Sequence, residues 1–164
     1  MPRAPGQLLV MSSILDRLFD EAPATRQEPP FDARFDLSQH KLAVARDLEA
    51  LLNARSLALS GEHQQRFPLA AASLLAFGIP DLSSLSLLNP DHRSLLRDQI
   101  LQTIERFEPR LAQVRVDLDV PREFNRMLRF RVEAVLTIHP HRPAVVFDAV
   151  LKLSSNACQV RSLN

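Results

Sequence analysis

Glu105 and Glu108 stand three residues apart near the end of a helical pattern. Two carboxylates on one helix face are the minimum for glycoside hydrolysis, one acting as acid and the other as base or nucleophile. Sugar sites also lean on aromatic platforms, and the chain has nine Phe but neither Trp nor Tyr. No second acidic cluster sits nearby, so the pair reads as non-catalytic. His139 and His141 flank Pro140 and resemble a metal pair. Without a third ligand at suitable spacing, they read as a solvated turn. Cys158 has no His or Asn signature around it, so a partly buried structural thiol is expected. Ser73, Ser83 and Ser84 lack a nucleophile-elbow pattern. Arg122, Arg126, Arg129 and Arg131 form a basic patch. Nucleic-acid binding would want stacking aromatics beside it, and of the neighbours Phe124 and Phe130, Phe130 falls on an apolar face. A solvated face or an acidic protein partner is the better reading. No catalytic residue, cofactor or metal is expected.

A different chemistry is suggested where the helix ends. A helix C-terminus carries partial negative charge and favours cations, yet Glu105 and Glu108 lie at or beside the last turn. Pro109 disfavours α geometry at Glu108, and Arg110 leads directly into a strand pattern. An acid, a stiff proline and a planar basic fork thus meet at a junction between layers. Glu108, Pro109 and Arg110 read as an interaction site. The charges would face a partner, or face each other as an internal salt bridge.

These residues are positioned by helices followed by strands. Ser12 or Ser13 caps a short helix whose stripe is Ile14, Leu15, Leu18 and Phe19, with Asp16 in its first turn. Leu15 and Leu18 are candidate docking residues there. Residues 22–36 are Pro-rich and charged, as in an extended linker. A second helix is expected over residues 37–57, capped by Asp36 or Ser38. Residues 60–68 read as a polar loop and 69–75 as one to two buried helical turns. Gly78 and Pro80 mark a turn over 77–82. Asn89-Pro90-Asp91 is a helix start, and Leu96, Ile100, Ile104, Phe107 and Leu111 step along one face, widened by Leu95 and Leu101. Beyond it the period becomes two. Val114 to Val120, Leu128 to Ile138 and Val145 to Leu153 alternate apolar with charged residues, and a short last strand covers Cys158 to Ser162.

One wet face implies an antiparallel sheet of three to four strands. The fold class is therefore α+β, with the N-terminal helices on one face of a C-terminal sheet. Residues 1–36 are expected to form an extension with a short helix and linker, and 37–164 a single domain. Either terminal strand, Val114 to Val120 or Cys158 to Ser162, is a candidate edge for a partner strand.

With 164 residues, 46% hydrophobic content and a net charge of +1, the chain has material for a core and no global field towards nucleic acid or membrane. Three Gly argue against phosphate-cradling loops. A single Cys permits no internal disulfide, which fits a reducing compartment. The first ten residues are too short for a secretory signal, and Met11 is an alternative start. A cytoplasmic protein is expected.

Four motifs in order resemble the TssE family of bacterial type VI secretion baseplate components and its relatives among contractile-phage baseplate wedge proteins. They are Ser13-Ile14-Leu15-Asp16-Arg17-Leu18, Asp47-Leu48-Glu49-Ala50-Leu51-Leu52-Asn53-Ala54-Arg55, Phe77-Gly78-Ile79-Pro80-Asp81-Leu82 and Ile104-Glu105-Arg106-Phe107-Glu108-Pro109-Arg110-Leu111. The Glu-Pro-Arg triplet is that family's signature. The chain departs at Ala76-Phe77, where the family often has Asn-Tyr, and at Ile79, where it has Leu. The resemblance implies a non-enzymatic structural role among wedge subunits of the TssF, TssG and TssK type, joining them to sheath subunits of the TssB and TssC type. A regulatory anti-adaptor of the same fold is the alternative. A peptidoglycan hydrolase, which the family's lysozyme-like label suggests, is a remoter one.

Overall fold

The computed structural model describes residues 9–11, 13–18, 34–57, 61–71, 73–82, 85–86, 88–119, 127–138, 142–152, 155 and 157–163. The chain divides into two compact units, Met1–Val44 and Ala45–Asn164.

In the first unit, β1 (Leu9–Met11) pairs antiparallel with β2 (Arg34–Asp36). Neither strand is legible in the sequence, since three residues are too few to show a period. Helix α1 spans Ile14–Leu18. Ser13 caps it: the Asp16 N–H donates to Ser13 Oγ at 3.1 Å, and the Ser13 N–H returns a bond to Asp16 Oδ2 at 3.1 Å. Two members of the apolar stripe face outward. Ile14 and Leu18 are 78% and 76% exposed, while Asp16 is buried. The side chains of Leu15 and Phe19 lie outside the described residues. Helix α2 (Leu37–Asn53) starts on a reciprocal box between Asp36 and Gln39, with bonds of 2.8 and 3.0 Å.

In the second unit, α2 ends at Asn53, short of the expected residue 57. Arg55 instead bridges to Ile79, and the Ser56 N–H donates to the Ile79 carbonyl at 3.1 Å. Gly78 is what lets these segments meet. Its φ is 102°, and a Cβ there would stand 2.4 Å from the Ala54 carbonyl oxygen. The expected polar loop over 60–68 holds α3 (Gly61–Arg66). Glu62 in its first turn and Arg66 in its last suit the helix dipole. The turns expected to be buried are α4 (Pro68–Ala71) and a 3₁₀ turn (Leu74–Ala76), and they are not buried: Leu69 and Leu74 are 86% and 81% exposed. Too few residues lie between polar breaks there to set which side faces in.

Helix α5 (Pro90–Phe107) begins on Asn89, whose side chain accepts from the Asp91 N–H at 2.9 Å. It buries Leu96, Ile100 and Ile104, whereas Leu95 is exposed and does not widen the stripe. Leu111, expected on the same helix face, is the first residue of β3.

Strands β3 (Leu111–Leu118), β4 (Met127–Leu136), β5 (Ala144–Lys152) and β6 (Ala157–Leu163) form one antiparallel sheet in that order. The fold is α+β, helices first and sheet after. Val114, Val116, Leu128, Phe130, Val132, Val145, Phe147, Leu151, Cys158 and Val160 line the buried face. Each fully buried side chain of this size contributes about 1.5–3 kcal/mol, so this face and the stripes Leu48, Leu51, Leu52 and Leu96, Ile100, Ile104 make the core.

Candidate interaction site at the helix–sheet corner

Glu108 ends α5, its N–H still donating to the Ile104 carbonyl at 2.9 Å. The Leu111 N–H donates to the Glu108 carbonyl at 3.1 Å, so residues 108–111 are one tight turn with Pro109 in its second position. Proline presets the φ that position requires. The Arg110 carbonyl accepts from the Thr137 N–H at 2.7 Å and from Thr137 Oγ1 at 2.6 Å, which pins the turn to the end of β4.

Within this turn the Glu108 side chain is nearly buried, at 6% exposure. Arg110 Nε donates to Glu108 Oε1 at 2.6 Å, and Arg110 Nη2 donates to Glu108 Oε2. The same Nη2 reaches Asp47 Oδ2 of α2 at 2.7 Å. Arg46 closes the far end, with Nη2 donating to Asp47 Oδ1 at 2.8 Å. The Glu108 hydrogen bond, more than any other influence, raises the Arg110 pKa above its already high ordinary value. The guanidinium is charged at every accessible pH. The acid at the helix C-terminus is thus matched by a cation two residues on, and the corner braces α5, β3 and α2 together. Of the two arrangements open in the sequence, the charges face each other. Asp47 lies 63 residues from Arg110 in sequence, and no local pattern marks it as the third member.

Phe77 meets Phe107 edge to face, with ring centroids 5.3 Å apart and planes at 71°. Three of the four singled-out motifs therefore converge on one corner. Glu105 is exposed while Glu108 is buried and held by Arg110, so the two carboxylates do not share a cleft. A groove of about 440 Å³ runs beside α5, with Gln64, Gln99, Gln102, Thr103 and Arg106 among its lining. Cys158 is buried, and burial, with a smaller contribution from Glu49, pushes its thiol up to about 12. A thiol so raised is no nucleophile near neutral pH. Ser73 caps the 3₁₀ turn through its Oγ. His139, His141, Ser83, Ser84, Arg122, Phe124 and Arg126 lie outside the described residues. Among the described residues no group of three or more His, Cys, Asp or Glu could hold a metal ion, and no helix is long and apolar enough to cross a membrane.

The sheet has two edges, and they differ. On β6, the Cys158 N–H donates to Asn53 Oδ1 at 2.8 Å and its carbonyl accepts from Asn53 Nδ2 at 2.9 Å. The Val160 N–H donates to Glu49 Oε2 at 2.9 Å. Side chains of α2 thus occupy backbone groups a new strand would need. On β3 no strand among the described residues pairs with the outer side. The Asp119 N–H donates to the Arg129 carbonyl at 2.9 Å, so by alternation the backbone groups of Val116 and Leu118 point away from β4. A bulge between Ala112 and Arg115, with Gln113 at φ 54°, limits the regular edge to the stretch after it.

A family model described as baseplate wedge protein gp25 matches residues 38–141, more than half of the chain, and the chain belongs to that family of structural baseplate components. A solved structure titled "The baseplate complex from the type VI secretion system" is similar at 17% identity and a TM-score of 0.45, covering 77% of this chain and 96% of that chain. No curated protein matches the chain.

Proposed function

We propose that this protein is a non-enzymatic adaptor of a cytoplasmic type VI secretion baseplate, joining wedge subunits of the TssF, TssG and TssK type to a contractile sheath of the TssB and TssC type. Membership of the baseplate wedge family over residues 38–141 is the observation that carries this reading. The sheath would join by strand addition at β3, because the β6 edge is occupied by Glu49 and Asn53. The braced Glu108-Pro109-Arg110 turn would meet the wedge, and Leu15 and Leu18 of α1 are separately proposed as docking residues. Residues 37–164 would form the wedge domain and residues 1–36 an extension to it.

The test is a deletion strain carrying a fluorescent sheath subunit. Sheath assembly is expected to stop on deletion and return with the wild-type chain, which co-purifies with wedge subunits. Sheath assembly that continues without the protein would sink the proposal. Turnover of purified cell-wall material that collapses in Glu108→Gln would replace it with a hydrolase.

A further inference from the structure

The wet face of the sheet carries charges in register. Asp117 on β3 stands opposite Arg131 on β4, Arg131 opposite Asp148 on β5, and Asp148 opposite Arg161 on β6. The sign alternates across all four strands. Arg131 and Asp148 form an ion pair at 3.0 Å. A second row sets Arg115 opposite Glu133, and Asp119 stands beside Arg129, to whose carbonyl it is bonded. At the open edge the rows stop. Arg115, Asp117 and Asp119 are exposed and make no ion pair among the described residues.

From this ladder we infer that the β3 edge selects its partner strand by charge as well as by backbone pairing: it takes an extended segment with a carboxylate opposite Arg115 and cations opposite Asp117 and Asp119. Apolar residues alternate with these, continuing the buried face past Val116 and Leu118. The inference rests on the reading of β3 as the docking edge and adds the chemistry and register of what docks. Opposite charges directly across a strand pair stabilise and like charges oppose. The three edge residues belong to pairs whose own backbone bonds run to β4. Towards a new strand they occupy non-hydrogen-bonded sites, where side chains lie closest.

A second copy of β3 fits less well. Antiparallel self-pairing about Val116 would match Arg115 with Asp117 of the other copy, twice. It would also set Asp119 against Gln113, inside the bulge at φ 54°. Two of the three charges would be met and the pairing interrupted at both ends. A foreign strand meets all three.

The experiment uses the full chain and two end-capped synthetic peptides. One has the core Lys-Val-Lys-Val-Glu, matched to β3 in the antiparallel sense, and the other the charge-inverted core Glu-Val-Glu-Val-Lys. Affinity is read by titration, and docking by slowed hydrogen exchange at the Val116 and Leu118 amides. The matched peptide should bind on the order of tenfold tighter at low salt, the preference shrinking as salt rises. The double variant Arg115→Glu, Asp117→Lys should invert the preference, which a fold defect would not do. Equal binding of both peptides, with both amides protected, overturns the charge selection and leaves the edge reading standing. Binding of neither peptide sinks the edge reading itself. Concentration-dependent protection of the two amides without peptide overturns the foreign strand in favour of a second copy.

Discussion

Arg110 is the residue whose loss the fold should feel through charge. Removing it leaves a carboxylate at 6% exposure without its fork, and Asp47 without one of its two cations. Breaking a fully buried pair costs about 3–5 kcal/mol. Arg110 is itself a quarter exposed, so Arg110→Ala should lower unfolding stability by about 2–3 kcal/mol in urea melts. Glu108→Gln in the same background should add little, because the two changes remove one interaction. Arg110→Lys should not restore stability, since a single ammonium cannot span both carboxylates. Cys158 offers a pH test. Its thiol rises from an ordinary 9.0 to about 12 in the fold, so the unfolded chain ionises first. Stability from this group is intact below pH 9 and falls as pH rises towards 12. A Cys158→Ala chain should lose less stability over that interval, and a disulfide reagent at pH 8 should label wild type only on unfolding.

At the scale of elements, the long ones were readable and the short ones were not. The sheet showed itself because one face is wet: every buried β4 residue from Leu128 to Leu136 alternates with a charged or half-exposed one. Helix α5 showed itself through Asn89-Pro90-Asp91 and ended where Pro109 required. Alternation also named both terminal strands as edges. It could not choose between them, because the choice depends on Glu49 and Asn53, which lie more than a hundred residues from the backbone groups they occupy. For the same reason the Arg110–Asp47 contact was invisible, while the Glu108–Arg110 half of the brace was in plain view. Helix α3, the β1–β2 pair and the exposure of Leu69 and Leu74 depend on tertiary surroundings that short patterns do not encode. Two expectations follow for these elements. Glu49→Ala with Asn53→Ala should speed hydrogen exchange at the Cys158 and Val160 amides by about fivefold, each lost bond being worth about 1 kcal/mol. Leu69→Ser with Leu74→Ser should leave thermal stability within about 0.5 kcal/mol of wild type, as for other exposed positions. A large loss there would mean that α4 packs inward after all.

For the whole molecule, the question is whether a rigid scaffold and an adhesive edge are separable, and proline answers it by position. Proline removes one N–H, and its effect on a strand depends on which way that N–H points. By the register with β4, the Asp117 N–H points into the sheet and the Leu118 N–H points out. Asp117→Pro should therefore break a ladder bond and destabilise by about 3 kcal/mol or more. Leu118→Pro should lose only part of a half-buried side chain, about 1 kcal/mol. Leu118→Pro also withdraws a donor from the open edge and sets a ring where a new strand would lie. In cells it should fold, co-purify with wedge subunits and fail to support sheath assembly. The braced corner is untouched by that change, whereas Arg110→Ala spares the edge and loosens the corner. If the edge meets the sheath and the corner meets the wedge, the two variants should fail in opposite assays. Normal sheath assembly with Leu118→Pro, in a chain whose melt shows it folded, would rule out strand addition at β3.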